Sequence, residues 1–155
     1  MNFTTHSEAE TKKVAAEFAA TLKGGDIVML TGELGVGKTT FVKGVAAAFG
    51  IEESEITSPT FTLMNVYDIT ALKQQNSQPE PKGIKTLIHI DTYRLEDAEE
   101  LEKIGVEDYL GEKNTVCLIE WPEKIRNIIS GKKLIRIELK YLNLGKRKIN
   151  TQKIG

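Results

Sequence analysis

Eight consecutive residues, Gly32-Glu33-Leu34-Gly35-Val36-Gly37-Lys38-Thr39, have the types and spacing needed to hold a polyphosphate. Gly32, Gly35 and Gly37 let the backbone curl until several N–H groups point at one anionic centre, where a β-carbon would obstruct close approach. Lys38 adds a full positive charge for the β- and γ-phosphates, and the Thr39 hydroxyl is suited to ligate Mg²⁺. The pattern G-x-x-x-x-G-K-[ST] is the Walker A phosphate loop, which works only with a strand before it and a helix beginning inside it.

Both flanks are present. Ile27-Val28-Met29-Leu30 is too brief for a helix and suits a strand buried on both faces. From Lys38 to Phe49, the residues Phe41, Val42, Val45, Ala46 and Phe49 recur at helical spacing, and Gly50 closes the run. The nucleotide-binding residues predicted here are Gly35, Val36, Gly37, Lys38, Thr39 and Thr40. Such a site also needs a carboxylate at the end of a neighbouring strand, because Mg²⁺ prefers oxygen ligands. Asp91 ends the apolar run Thr86 to Asp91, and Glu120 ends Thr115 to Glu120, so both are expected at the carboxyl edge of the sheet. The residues themselves do not rank one above the other, and each could equally cap a helix or face solvent. No Asn-Lys-x-Asp run is present, and Thr92-Tyr93-Arg94 follows Asp91 where an Asp-x-x-Gly switch would stand. ATP is therefore predicted over GTP.

The remaining elements must position this loop. Ser7-Glu8-Ala9-Glu10 reads as a capping box, followed by Val14, Ala15, Phe18, Ala19 and Leu22 at helical spacing and a stop at Gly24-Gly25. After Thr57-Ser58-Pro59-Thr60, Phe61 to Tyr67 reads as a strand, and Lys73 to Gly83 as an exposed polar loop. Glu96 to Lys103 is predicted as a short acidic helix ended by Gly105, with one more turn over Val106 to Leu110, and Pro122 to Ile129 as a short helix with proline near its first position. Leu134 to Leu142 and Lys146 to Thr151 read as an antiparallel pair around Gly145. The expectation is one α/β domain over residues 1–155, a three-layer fold of the P-loop NTPase type, with a parallel sheet centre and antiparallel additions.

Composition bounds the rest. At 155 residues and 40% apolar, the chain suits one packed core. No apolar run approaches the roughly 20 residues of a membrane helix, so a soluble cytoplasmic protein without membrane contact is expected. The lone Cys117 lies in an apolar run and reads as a buried strand residue. The net charge of −1 hides segregation: eight acids crowd Arg94 to Glu112, and eight Lys or Arg lie between Gly131 and Gly155. Opposed blocks suggest docking surfaces, though two solvated faces would look the same. A near-neutral total argues against strong unaided nucleic-acid binding.

Five blocks in order resemble the bacterial TsaE family: the phosphate loop, Ser58-Pro59-Thr60-Phe61-Thr62-Leu63, His89-Ile90-Asp91-Thr92-Tyr93-Arg94-Leu95, Glu99-Glu100-Leu101-Glu102 with Gly105 and Asp108-Tyr109, and Leu118-Ile119-Glu120-Trp121-Pro122-Glu123. The resemblance implies a weak ATPase that serves threonylcarbamoyladenosine synthesis in tRNA together with TsaD and TsaB, meeting tRNA only through that complex. It further implies that Thr39 and Glu120 contact Mg²⁺, that Asp91 is needed for hydrolysis, and that the Ser-Pro-Thr switch places Thr60 by the γ-phosphate; the residues expected at the metal are Thr39, Glu120 and Asp91, and those expected to serve catalysis are Lys38, Asp91 and Thr60. Glu8 and Thr11 at the first helix, and the turn Gly145 to Arg147, are implied to lie near the adenine. The long polar stretch between Asp68 and Lys85 departs from the family pattern. Trp121 either packs in the core or shapes the nucleotide pocket, and His89 reads as a satisfied strand-end histidine. Two other readings compete. A small-molecule kinase would use the same loop with an arginine-bearing lid, but Arg94 and Arg126 stand alone here; a nucleotide-gated binding module would hydrolyse ATP only incidentally.

Overall fold

The computed structural model describes residues 1–59, 61–71 and 83–155. Its strands are β1 (Asn2–Thr5), β2 (Ile27–Thr31), β3 (Met64–Asp68), β4 (Thr86–Asp91), β5 (Thr115–Glu120), β6 (Leu134–Tyr141) and β7 (Arg147–Ile154); the two long helices are α1 (Glu8–Ala19) and α2 (Lys38–Ala48). One seven-stranded sheet has the order β1-β7-β6-β2-β5-β4-β3. β6, β2, β5 and β4 run parallel, while β7 with β1 on one edge and β3 on the other are antiparallel. The expected parallel centre with antiparallel additions is observed.

Strand alternation divides the core into two layers. Val28 and Leu30 of β2, Leu118 of β5 and Ile137 of β6 pack with Ala15, Phe18, Phe41 and Val45 of α1 and α2. Their neighbours in sequence, Ile27, Met29, Cys117 and Ile119, face the opposite layer, where Leu101, Val106, Ile125 and Ile129 come from the short helical segments. That is why the central strands read as continuous apolar runs: both faces are covered. Cys117 is 1% exposed, and burial pushes its thiol up to about 12, so it is an inert strand residue.

Several boundaries differ from the sequence reading. β1 was not expected, because Asn2-Phe3-Thr4-Thr5 has no periodicity; it exists by pairing with β7, Asn2 opposite Asn150. α1 stops at Ala19 rather than at Gly24-Gly25, since the Thr21 amide and hydroxyl both turn back onto the Phe18 carbonyl. Ser7 Oγ accepts from the Glu10 amide at 3.1 Å, but the Glu10 carboxylate takes the His6 amide at 2.8 Å and not that of Ser7. β3 begins at Met64 rather than Phe61, because Leu63 donates to the Pro59 carbonyl at 2.8 Å and closes a turn with its own φ at +62°. The acidic helix is confined to Glu99–Lys103, and Pro122 to Ile129 divides into a 3₁₀ turn, Pro122–Ile125, and one α-turn, Arg126–Ile129. Residues 72–82 of the polar stretch, and with them most of the expected Lys73 to Gly83 loop, lie outside the described residues.

α1 and α2 touch at Gly44, where a β-carbon would stand 2.6 Å from the Lys12 carbonyl oxygen and 2.7 Å from Ala15 Cβ. Glycine to alanine in a helix interior normally stabilises by about 1 kcal/mol. Here the obstruction is backbone that cannot rotate away, and overpacking of this kind costs about 1–3 kcal/mol. Gly44→Ala is therefore expected to lower the melting temperature by several degrees, measured by thermal circular dichroism.

Candidate functional site

β2 delivers the chain into the phosphate loop at its carboxyl end, and α2 begins at Lys38 with Gly37 before it at φ +111°. Gly32 sits at φ +144°, and a β-carbon there would lie 2.4 Å from the Leu139 carbonyl oxygen, so the loop can enter this path only through glycine. Two residues of the β6–β7 hairpin fix the outer side of the loop. Tyr141 donates its hydroxyl to the Gly35 carbonyl at 2.5 Å, and Arg147 Nε donates to the Val36 carbonyl at 2.9 Å. With these carbonyls turned away, the amides of the loop and of the α2 start are left for an anion.

Lys38 is only 4% exposed. Its Nζ donates to the carbonyls of Gly32 and Glu33 at 2.8 and 2.9 Å and lies 3.8 Å from the centre of the Trp121 ring. Loss of hydration lowers its pKa below the ordinary lysine value, and the charges of Glu120, Asp91 and Glu123 pull the other way. Trp121 itself holds the left-handed conformation at φ +60°, unusual for a bulky residue, and Thr92 Oγ1 donates to the carbonyls of both Glu120 and Trp121. Of the two roles left open for this tryptophan, lining the cleft is the one observed.

The two carboxylates make different contacts. Leu30, Glu120 and Asp91 lie level on β2, β5 and β4, with Glu120 on the strand beside the loop and Asp91 one strand further out. Thr39 Oγ1 donates to Glu120 at 3.0 and 3.2 Å, one distance to each carboxylate oxygen. Glu120 Oε1 is also 2.9 Å from Nε2 of His89, a fully buried ring whose Nδ1 has no partner among the described residues. Asp91 instead accepts from Ser58 Oγ at 2.5 Å and from the Tyr93 amide at 2.9 Å. It ties the segment before Pro59 to the turn that follows β4.

These residues surround a cleft of about 420 Å³ lined by Gly35, Gly37, Lys38, Thr39, Thr40, Asp91, Glu120 and Trp121, all singled out by sequence. Ser58, the first residue of the Ser-Pro-Thr switch that the resemblance implied, lines it too, as do Tyr93 and Arg94, which were assigned no role from sequence. The signal for those two lay in their positions, two and three residues after Asp91 within a recognisable block. Val36 is buried beneath the loop. Thr60 lies outside the described residues. Glu8 and Thr11 do not line the cleft: Glu8 is exposed on the first turn of α1, and the Thr11 hydroxyl contacts the Ser7 carbonyl and the Thr5 hydroxyl. Thr5 is nevertheless paired with Arg147, the residue that grips Val36, so the start of α1 borders the outer side of the loop through β1 and β7.

Among the described residues no group of three or more His, Cys, Asp or Glu is arranged to hold a metal alone. A threonine hydroxyl beside one carboxylate, with a second carboxylate level with it, suits Mg²⁺ shared with phosphate and water, the usual coordination of that ion in nucleotide sites. No helix among the described residues is long and apolar enough to cross a membrane.

The sequence pattern of the family described as Threonylcarbamoyl adenosine biosynthesis protein TsaE matches residues 5–149. The chain is 40% identical over 145 residues to the tRNA threonylcarbamoyladenosine biosynthesis protein TsaE of Rickettsia bellii, covering 94% of this chain and 90% of that one. With its namesake from Bacillus subtilis the identity is 35% over 155 residues, covering 100% and 87%. Among solved structures, the crystal structure of Bacillus subtilis YdiB superposes with a TM-score of 0.73 at 30% identity, covering all of this chain and 86% of that one.

Proposed function

Since the chain belongs to the TsaE family of threonylcarbamoyl adenosine biosynthesis proteins, we propose that it binds Mg²⁺-ATP in the cleft over Lys38 and hydrolyses it slowly in support of that tRNA modification. The observation that carries this reading is the contact of Thr39 with both oxygens of Glu120 beside the buried Lys38. It puts a hydroxyl, a carboxylate and an ammonium at the N-terminus of α2, each suited to one part of a metal-bound triphosphate. Thr39 and Glu120 would hold Mg²⁺, which when bound would offset negative charge on the triphosphate. Lys38 exchanges its two loop carbonyls for phosphate oxygens, Glu120 and Thr39 orient the ion, and Asp91 positions the attacking water while holding Ser58. Trp121 closes the wall of the cleft and keeps bulk water from the Lys38 ammonium.

We assign TsaD and TsaB as the partners that raise this turnover. The acidic block after Asp91 is the proposed docking face: Glu99 and Glu102 are exposed on the short helix that follows the catalytic edge. Glu100 has a structural duty, since its Oε1 accepts from the amides of Glu96 and Asp97, so a clean test leaves it in place. The paired reversal Glu99→Lys and Glu102→Lys is expected to raise several-fold the partner concentration needed for half-maximal ATPase stimulation at low salt, with ATP affinity unchanged. At about 0.5 M salt, where screening shortens to a few ångströms, the two curves should converge. Superimposable curves at low salt would reduce the acidic block to a solvated face.

A further inference from the structure

We propose that Arg94 is a ligand of the terminal phosphate, supplied by the same chain. The inference rests on the ATP reading above and extends it to a residue that neither the loop nor the carboxylates include. Among the described residues that line the cleft, the only cations are Lys38 and Arg94, and they face two carboxylates, Asp91 and Glu120. A triphosphate adds more negative charge than one divalent ion and one ammonium can offset, and Arg94 is the remaining positive charge within the cleft wall.

Its surroundings suit that use. The backbone on both sides of Arg94 is clamped: Thr92 is bonded to the Glu120 and Trp121 carbonyls, Lys124 Nζ holds the carbonyls of Tyr93 and Leu95 at 2.5 and 2.9 Å, and the Tyr93 ring packs on Trp121 at 4.9 Å. The side chain by contrast is exposed, and among the described residues no carboxylate lies within ion-pair distance of it. Its guanidinium rests 5.8 Å from the ring of Phe61, which is 89% exposed. An exposed cation–π contact at that distance is weak, and a bidentate bond from guanidinium to phosphate displaces it readily. A rigid base carrying a releasable arginine is the arrangement expected of a group that engages only when substrate arrives.

The chemistry requires such a charge. In hydrolysis the water oxygen bonds to the terminal phosphorus as the bond from that phosphorus to the bridging oxygen breaks, and ADP leaves with the electron pair. One water proton stays on the released phosphate and the other passes to solvent. Negative charge gathers on the bridging and terminal oxygens, where a guanidinium stabilises the transition state more than the ground state.

The test compares wild type with Arg94→Gln in calorimetric titrations with Mg²⁺-ATP and with Mg²⁺-ADP, and in single-turnover hydrolysis. The expected result is ATP affinity lower by about tenfold, ADP affinity unchanged, and hydrolysis slower by about a hundredfold or more, because an arginine of this kind contributes on the order of 10³ to rate. Wild-type hydrolysis by the variant, or ADP affinity falling as far as ATP affinity, would overturn the role of Arg94 and leave the ATP reading standing. If wild type itself binds neither nucleotide, the ATP reading fails and takes this inference with it.

Discussion

Replacing Lys38 by alanine is expected to weaken ATP binding by about a hundredfold, the effect of losing two charge-assisted hydrogen bonds worth about 1.5 kcal/mol each. Lys38 is the buried cation of the cleft, its ammonium bonded to the Gly32 and Glu33 carbonyls and set over Trp121. Among the described residues lining the cleft, Arg94 is the other cation, and it is exposed. The fold should survive the change. Burial lowers the Lys38 pKa, so between that lowered value and the ordinary 10.5 the unfolded chain binds more protons than the native one, and Lys38 makes stability rise with pH across that window. At neutral pH burial of the cation works against the native state while its bonds to the Gly32 and Glu33 carbonyls work for it, so the variant is expected to remain folded and to melt cooperatively. Calorimetric titration beside a thermal melt checks both halves. Unchanged ATP affinity in a folded Lys38→Ala variant would end the phosphate-loop reading.

The second large effect separates the two acids. Glu120→Ala is expected to remove the stimulation of ATP binding by Mg²⁺, because Glu120 is the carboxylate in contact with Thr39. Asp91→Ala should leave Mg²⁺-ATP affinity within about twofold of wild type and slow turnover by about a hundredfold, the usual scale of a positioned acid–base group. Asp91 holds Ser58 and the Tyr93 amide, and its removal frees the segment before Pro59 as well as the water site. Titrations with and without Mg²⁺, paired with phosphate-release rates, distinguish the variants. Identical behaviour of the two would refute the division of roles.

Much of this was legible in the chain, for physical reasons. Ile27 to Leu30 and, within Thr115 to Glu120, Val116 to Ile119 announced themselves as strands because each is buried on both faces and so carries an unbroken apolar run, and Thr86 to Asp91 did so with His89 as the one polar residue among Leu87, Ile88 and Ile90. The loop was legible because its glycines answer to a local requirement, shown by Gly32 against the Leu139 carbonyl. What was not legible depends on contacts distant in sequence. β1 is polar and is a strand only through β7. Asp91 and Glu120 were level in the sequence reading because each ends an apolar strand. Strand order decides their contacts, and strand order is set by packing rather than by either strand's own residues. The props from Tyr141 and Arg147 come from more than a hundred residues beyond the loop, on a hairpin whose own pattern says nothing of what it touches. Arg94 had no local signal beyond its nearness to Asp91.

The most direct test of the account is a titration of wild-type protein with ATP, in the presence and absence of Mg²⁺, followed by tryptophan fluorescence. Trp121 is the single tryptophan of the chain, and its ring lies 3.8 Å from the Lys38 ammonium. A phosphate that draws the ammonium from the ring must change its emission. The account predicts a saturable one-to-one change with ATP, tighter with Mg²⁺, reversed by competing ADP and lost in Lys38→Ala. A flat trace at millimolar Mg²⁺-ATP, together with no heat of binding in a calorimeter, would contradict it.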